Sequence, residues 1–240
     1  MPTRNIEQLE AMTPLWGRPG TWRAALHVPE RNERMSENLL EMREITKIYP
    51  GVVALDKACF SVKKGEVHAL LGENGAGKST LIKILAGAVQ PDGGAVVLEG
   101  GELGRYTPNQ AIEMGISVIY QEFNLVDKMT VEENIFFGKE IRNGAFLDRK
   151  AMIKKSRDVL ETVNCDINPR TRVSDLSVAY QQMVEIAKAV MNRAKIIVMD
   201  EPSAALSNRE LEVLFGLIRK FKSEGTSVIY ISHRLGRYSK

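Results

Sequence analysis

Hydrophobic and polar positions alternate with a strand-like period in three runs between residues 39 and 98. Residues 39–48 alternate and carry β-branched side chains, and shorter runs of the same character cover residues 58–62 and 95–98. Lys64-Gly65 and Asp92-Gly93-Gly94 separate these runs as turns. Because alternating strands joined by short turns commonly pair with one another, this region predicts a small antiparallel β sheet.

A different pattern occupies the last third of the chain. Residues 196–199 and 228–231 are continuous apolar runs, which is typical of strands buried on both faces. Between them, Ser207 and Glu210 form a capping box that begins a predicted helix over about residues 208–223. The helix has one apolar face, made of Leu211, Leu214, Phe215, Ile218 and Phe221. Alternating buried strands and amphipathic helices predict a mostly parallel sheet covered by helices.

The middle third carries three helix starts. Thr107 stands three residues before Gln110, Thr130 three residues before Glu133, and Asp148 directly precedes a helical stretch over residues 149–163. These signatures predict a helical subdomain over about residues 105–190, inserted into the α/β fold.

Residues 1–37 differ from the rest of the chain. They hold both tryptophans among scattered prolines and glycines, without sustained periodicity. We expect a poorly ordered N-terminal extension. Met35 stands just before the first predicted strand, which favours a start codon assigned too far upstream; a docking or regulatory arm is the alternative.

Composition narrows the possible partners and location. The chain has 240 residues, and 33 Lys and Arg against 30 Asp and Glu leave a net charge of only +3, so we expect no nucleic-acid partner. The two cysteines, Cys59 and Cys165, have no metal-ligand spacing and indicate no disulfide framework. No run of about 20 apolar residues predicts a membrane span, and no signal peptide is visible. We therefore expect a cytoplasmic protein.

A glycine loop supplies the first candidate chemistry. Gly72 to Ser79 match the P-loop pattern, and this segment lies between a predicted strand at residues 67–71 and a predicted helix at residues 78–86. In such a loop backbone N–H groups surround phosphate oxygens, Lys78 reaches the β- and γ-phosphates, and Ser79 binds Mg²⁺. The predicted nucleotide-binding residues are Gly72, Glu73, Asn74, Gly75, Ala76, Gly77, Lys78, Ser79 and Thr80.

Two adjacent carboxylates supply the second candidate chemistry. The apolar run at residues 196–199 ends at Asp200, and Glu201 follows directly. A P-loop needs a carboxylate at the end of a neighbouring strand to hold its magnesium ion, so Asp200 is the candidate metal ligand. Glu201 is the candidate general base that polarises a water in line with the γ-phosphate.

Further segments follow in the order of a known family. Tyr49 ends the first strand, Tyr120-Gln121-Glu122 follows in the middle third, and Leu176-Ser177-Val178-Ala179-Tyr180 precedes a helix. Ser203-Ala204-Ala205-Leu206-Ser207 and Ser232-His233 complete the series. From about residue 42 to residue 235 the chain resembles ATP-binding cassette (ABC) ATPases, and within them the cassettes of bacterial monosaccharide importers of the ribose and galactose type.

This resemblance implies an α/β fold: a P-loop NTPase core with a mostly parallel sheet, an N-terminal antiparallel subdomain and an inserted helical subdomain. It implies ATP and Mg²⁺ as ligands and ATP hydrolysis coupled to sugar uptake. The implied partners are a second cassette, transmembrane permease subunits and a solute-binding protein outside the membrane. The chain would then lie on the inner face of the cell membrane through its permease.

The resemblance also assigns roles to single residues. Tyr49 would stack on adenine, and Ser177 would meet a γ-phosphate across a cassette pair, although each also has a simpler interpretation as a packing residue or a helix cap. The implied catalytic residues are Lys78, Gln121, Glu201 and His233. The implied metal ligands are Ser79, Gln121 and Asp200.

Two features depart from the family pattern. Ala179 stands where the family usually has glycine, and Tyr180 where it commonly has glutamine. This importer group usually carries two cassettes in one chain, whereas this chain stops at Lys240, so we expect the end of the first cassette to be missing. Two alternatives remain open: a soluble ABC-type ATPase unconnected with transport, and a nucleotide-binding half that does not hydrolyse ATP.

Overall fold

The computed structural model describes residues 38–72, 75–202 and 206–232. The expected N-terminal extension at residues 1–37 and the end of the chain beyond residue 232 lie outside these ranges. The strands of the described residues are β1 (Asn38–Tyr49), β2 (Val52–Lys63), β3 (Val67–Leu71), β4 (Gly93–Leu98), β5 (Gly101–Leu103), β6 (Ile116–Ile119), β7 (Arg142–Asn143), β8 (Phe146–Leu147), β9 (Ile196–Asp200) and β10 (Ser227–Ser232). The α-helices are α1 (Lys78–Leu85), α2 (Pro108–Glu113), α3 (Val131–Ile135), α4 (Arg149–Thr162), α5 (Val178–Met191) and α6 (Asn208–Ser223).

The N-terminal strands form the predicted antiparallel sheet. Its order is β2-β1-β4-β5, so β1 lies inside the sheet and β2, which is equally long, lies at its edge. The strand β2 begins at Val52, six residues earlier than its hydrophobic pattern indicated, and pairs with β1 almost from end to end. Its early part was missed because Val52, Val53 and Ala54 are consecutive apolar residues, which do not alternate with polar ones.

The parallel sheet has the order β3-β10-β9-β6. The prediction of buried parallel strands is confirmed for β9 and β10, and β3 has the predicted limits. The strand β6 was not predicted; it lies inside the range expected to be helical and pairs with β9. Residues 116–119, with three apolar residues and Ser117, form a segment too short to distinguish from part of a helix by its period.

Both faces of the parallel sheet are covered, as expected. Ile197 and Met199 belong to a core formed with the helices α3, α4, α5 and α6. Ile196 and Val198 point to the other side, into a core that includes the antiparallel sheet and α1. Successive residues of one strand thus enter two different cores, which explains the uninterrupted apolar sequence of β9.

The helix starts in the sequence are confirmed. Thr107 and Thr130 each form a complete capping box, and the Asp148 side chain accepts a hydrogen bond from the Ala151 N–H at 2.9 Å. Ser207 forms the capping box of α6, which has the predicted limits. No helix in the part of the chain described here combines the length and apolar character needed to cross a bilayer.

Candidate nucleotide site at the carboxyl edge of the parallel sheet

The carboxyl ends of the parallel strands meet at one edge of the sheet. Leu71 pairs with Ser232, Asp200 pairs with Ile231, and β6 ends level with β9 at Ile119. The glycine loop, the acidic pair and the segment after β6 therefore start from the same edge. Ligands of open parallel sheets commonly bind at this edge.

The strand order corrects one expectation. We predicted that the strand ending at Asp200 would neighbour the strand that leads into the glycine loop, but β10 lies between them. Two strand spacings amount to about 9.5 Å, a separation that a lysine side chain and a bound phosphate can bridge. Burial and the charge of Glu201 raise the pKa of Asp200, and the charge of Lys78 lowers it only in part.

The described part of the glycine loop has the backbone that a P-loop needs. Gly75 and Gly77 have φ angles of 84° and 75°, in the left-handed region that favours glycine. Lys78 Nζ donates a hydrogen bond to the Gly72 carbonyl oxygen at 2.6 Å, so its side chain folds back over the loop. Glu73 and Asn74, also predicted to bind nucleotide, lie outside the described residues.

The helix that follows the loop begins without a side-chain cap. Gly77 is its N-cap residue, no side chain accepts its first N–H groups, and its first turn contains no acidic residue. Ser79 is exposed there, and Ala76 and Thr80 are half-buried. Uncapped N–H groups together with the helix dipole favour an anion at this end of α1.

Gly77 also fixes the loop against the antiparallel sheet. A Cβ atom at Gly77 would lie 2.6 Å from the Ala54 carbonyl oxygen, so only glycine allows this approach to β2. Tyr49 pairs with Val52 at the adjacent β1–β2 turn, and Tyr49, Val52 and Val53 are 37%, 60% and 59% exposed. An exposed apolar surface therefore lies beside the phosphate loop, as a flat aromatic base would require.

Asp200 and Glu201 lie at the end of β9. Burial raises the pKa of Asp200, the charge of Glu201 raises it further, and Lys78 lowers it in part. The Glu201 N–H donates to the Ile231 carbonyl oxygen at 3.1 Å, and Glu201 has a φ angle of 50°. The two carboxyl groups thus leave adjacent positions on a tightly turned backbone.

A half-buried carboxyl beside a second carboxyl suits a cation. Among the described residues no group of three or more His, Cys, Asp or Glu side chains could hold a metal ion. Mg²⁺ commonly takes only one or two carboxylates and completes its coordination with phosphate oxygens and water. Asp200 at the edge shared with the glycine loop fits that mode of binding.

The segment after β6 brings an unpredicted residue to the site. Tyr120 directly follows Ile119, which pairs with Met199, so Tyr120 stands level with Asp200 on the neighbouring strand. Burial raises the pKa of Tyr120, and the charge of Asp200 raises it further. Gln121, the predicted residue, follows Tyr120 and is exposed. Only recognition of the short strand β6 would have indicated that Tyr120 leaves the same sheet edge as Asp200.

Ser177 caps a helix instead of following a strand. Its hydroxyl accepts a hydrogen bond from the Tyr180 N–H at 3.5 Å at the start of α5, and Ser177 is exposed. Val178 and Tyr180 are 45% and 47% exposed. The sheet edge therefore collects Gly72, Asp200 and Gln121 but not Ser177.

The remaining predicted residues include some beyond the structural description. His233 follows the end of β10, and Ser203, Ala204 and Ala205 follow Pro202; none of these four is among the described residues. His68, in contrast, is held by its neighbours. Its Nδ1 lies 3.2 Å from the Glu66 carboxylate, and its ring meets Phe60 edge-on, which are the contacts of a structural histidine.

Comparison with known proteins decides the family. The sequence profile of the family described as ABC transporter matches residues 55–204, which is more than half of this chain. The chain belongs to the ABC transporter family. The match includes the glycine loop and both carboxylates of the acidic pair, and this membership confirms the family resemblance.

Curated ABC transporter relatives align with most of this chain. The ribose import ATP-binding protein RbsA 1 of Rubrobacter xylanophilus is 55% identical over 197 residues, which are 82% of this chain and 40% of the relative. The galactose/methyl galactoside import ATP-binding protein MglA of Clostridium perfringens is 46% identical over 200 residues, 83% of this chain and 39% of the relative. The chain thus spans about two fifths of the length of these relatives.

Solved ABC transporter cassettes share the fold. The ADP conformation of the ATP-binding cassette MJ1267 has a TM-score of 0.73 and 29% identity, covering 83% of this chain and 82% of that one. A dimeric post-hydrolysis state of the cassette MJ0796, bound to ADP and Pi, has a TM-score of 0.70 and 25% identity, covering 82% of this chain and 88% of that one. The predicted fold class, an α/β cassette with an antiparallel subdomain, is confirmed.

Proposed function

We propose that this chain binds and hydrolyses ATP and thereby energises the import of a sugar, most specifically a monosaccharide. The observation that carries the proposal is the common sheet edge from which the glycine loop and the Asp200-Glu201 pair arise. The names of the curated relatives support sugar import.

The nucleotide would lie along the glycine loop with its base toward the β1–β2 turn. The backbone N–H groups from Gly72 to Ser79 and the start of α1 would receive the phosphates, with Thr80 in the first turn of that helix. Tyr49 would stack on the adenine beside the exposed Val52 and Val53. The close approach of Gly77 to β2 would set the separation between the phosphate and base positions.

The chemistry would be phosphoryl transfer to water. Lys78 would neutralise charge on the β- and γ-phosphates, and Glu201 would align the attacking water and accept its proton. Gln121 would contact that water from the end of β6, and His233 would contact the γ-phosphate. Most of the rate enhancement would come from fixed positions and charge neutralisation, since phosphoryl transfer needs little covalent participation from the protein.

Mg²⁺ fits the same edge. When bound, it would neutralise charge on phosphate oxygens, with Ser79, Gln121 and Asp200 as its proposed protein ligands. Burial and the charge of Glu201 raise the pKa of Asp200, so they disfavour its charged form. A nearby cation would favour that charged form. Lys78 supplies part of that compensation in the protein itself.

The active unit would contain two cassettes. Ser177 lies exposed at the start of α5, away from the sheet edge, so it is available to a γ-phosphate held by another cassette. The dimeric state of MJ0796 supports such a pairing. The further partners would be permease subunits and an external solute-binding protein, which would hold the chain at the cytoplasmic face of the membrane.

Replacing Glu201 by glutamine tests the proposal. The variant should bind ATP as the unchanged chain does but lose about 10²- to 10⁴-fold in turnover, because the amide is too weak a base for the water proton. Phosphate release measured beside binding of a fluorescent ATP analogue separates the two steps. Glu212→Gln, at an exposed position of α6, is the matched control and should keep full turnover.

The same measurements separate the alternatives. Undiminished phosphate release from Glu201→Gln would exclude Glu201 as the base. ATP binding without phosphate release by the unchanged chain, even with a permease present, would favour the half that does not hydrolyse ATP. In that case the residue to replace is Ala179, which stands where the family usually has glycine. Hydrolysis without any association with permease subunits would favour the soluble ATPase.

A further inference from the structure

The end of β1 that carries Tyr49 extends past its neighbour β4. The pairing of β1 with β4 ends at Thr46 and Gly93, whereas β1 continues to Tyr49. Asp92, the residue before β4, continues the pairing beyond that point. Its backbone N–H donates a hydrogen bond to the Thr46 carbonyl oxygen at 2.8 Å, and its Oδ2 accepts one from the Ile48 N–H at 2.8 Å. Asp92 therefore fixes the backbone directly before Tyr49.

The other oxygen of the same carboxylate holds a lysine. Lys47 Nζ donates a hydrogen bond to Asp92 Oδ1 at 2.9 Å, and the Lys47 side chain is only 15% exposed. Surface ion pairs contribute little to stability, and fixing a lysine side chain costs conformational entropy. The position that the pair gives to the ammonium therefore explains it better than stability does.

The ammonium lies over the ring of Tyr49. Lys47 Nζ is 5.7 Å from the centroid of that ring, within the range of a cation–π interaction. Lys47 and Tyr49 are two residues apart in β1, and side chains with this spacing leave the same face of a strand. An ammonium on one face of the ring restricts its rotation and leaves the opposite face for a ligand. Tyr49 is 37% exposed, so a ligand can reach it.

We propose that Asp92 and Lys47 are positioning residues for the base of the nucleotide. Asp92 holds the Lys47 ammonium and the backbone before Tyr49, Lys47 covers one face of the Tyr49 ring, and adenine stacks on the other face. This inference rests on the proposed function, in which Tyr49 stacks on adenine, and adds the residues that orient the ring. Because the ring is fixed before the nucleotide binds, less conformational entropy is lost on stacking.

Two ligands separate an effect on the base from an effect on the phosphates. ATP and inorganic tripolyphosphate both carry a triphosphate chain, but only ATP carries a base. Calorimetric titration of the full chain with each ligand and Mg²⁺ gives the two dissociation constants. Lys47→Met should weaken ATP binding by about threefold to tenfold and leave tripolyphosphate binding within about twofold. Lys47→Arg keeps a cation over the ring and should bind ATP within about twofold of the unchanged chain.

Replacing Asp92 tests the other half of the arrangement. Asp92→Ala removes both acceptor oxygens, so it should weaken ATP binding at least as much as Lys47→Met and leave tripolyphosphate binding within about twofold. In the nucleotide-free chain it should also speed hydrogen exchange of the Ile48 amide by about tenfold or more. Lys195→Met is the matched control, because it breaks another lysine–carboxylate pair, with Glu99 Oε2 at 2.6 Å. It should leave both dissociation constants unchanged.

A double-variant cycle tests whether Lys47 acts through the ring. In a Tyr49→Leu chain, Lys47→Met should change the Kd for ATP by less than about twofold, because no ring remains to orient. A loss as large as in the unchanged chain would show direct contact with the nucleotide and would overturn the proposal. Undiminished ATP binding by Lys47→Met, equal weakening of both ligands, or no rescue by Lys47→Arg would overturn it too. An unchanged chain that binds neither ligand would instead refute the proposed function, and this inference with it.

Discussion

Replacing Gly77 by alanine should strongly destabilise the fold, even without nucleotide. The new Cβ would lie 2.6 Å from the Ala54 carbonyl oxygen and 2.7 Å from Leu55 Cδ2, and one of these is rigid backbone. Forcing such contacts costs about 1–3 kcal/mol. The φ angle of 75° adds about 1 kcal/mol for a residue with a side chain. The free energy of unfolding should fall by about 2–4 kcal/mol.

Gly75 provides a matched control in the same loop. Its φ angle of 84° is as positive as that of Gly77, but a Cβ there would meet nothing within 4 Å. Gly75→Ala should therefore lose only the conformational part, about 1 kcal/mol. Urea denaturation of the nucleotide-free chain gives both values, provided that the slope with denaturant stays the same.

The difference between the two variants isolates the contact with β2. If Gly77→Ala and Gly75→Ala lose equal stability, the loop does not depend on its approach to Ala54. The proposal that this contact sets the distance between the phosphate and base positions would then be wrong as well. A larger loss in Gly75→Ala would refute the reasoning outright.

Two further predictions concern buried groups. Burial raises the pKa of Tyr106 to about 12, and its hydroxyl donates to the carbonyl oxygens of Ile84 and Leu85 at 2.9 and 3.2 Å. An unfolded tyrosine titrates near pH 10, so this contribution to stability is complete below about pH 10 and is lost as the pH rises toward 12. Tyr106→Phe should remove that loss of stability at alkaline pH. Denaturation at several alkaline pH values measures it, and the same pH dependence of the free energy of unfolding in both proteins would contradict the prediction. Burial also raises the pKa of Cys165 to about 12, so a thiol reagent should label the half-buried Cys59 first. Equal labelling rates, resolved with Cys59→Ser as control, would count against this.

The parts of the fold that sequence predicts are those governed by neighbouring residues. Thr107, Thr130 and Ser207 begin helices because their side chains accept a backbone N–H three residues ahead, a contact set by local spacing alone. The glycine loop is visible for the same reason, since Gly75 and Gly77 adopt backbone angles that few other residues tolerate. Neither conclusion needs any knowledge of which elements pack together.

Strand order depends on contacts between distant parts of the chain. The strand β10 enters the sheet between β3 and β9, although it is the last strand described. No short-range pattern indicates this placement, because apolar runs show that strands are buried but not which strands they neighbour. Tyr120 and Asp200 come together through that sheet, across 80 positions of sequence, so only the fold shows their proximity.

The backbone at Glu201 departs from local rules, because a residue with a side chain adopts a positive φ angle there. Asn164 and Arg193 also have positive φ angles, but each directly follows the C-cap residue of a helix, where that conformation satisfies the last carbonyl groups. Glu201 instead follows the strand residue Asp200 and precedes Pro202. A residue before proline prefers extended backbone angles, so the angle at Glu201 is unfavourable. Such a conformation costs about 1–2 kcal/mol. The cost coincides with a half-buried carboxyl of raised pKa and with the edge where the glycine loop arises. The positive φ angle of Glu201 and the half-buried carboxyl of Asp200 both make the fold less stable than other residues would at these positions. A functional site that requires both residues explains them better than folding does.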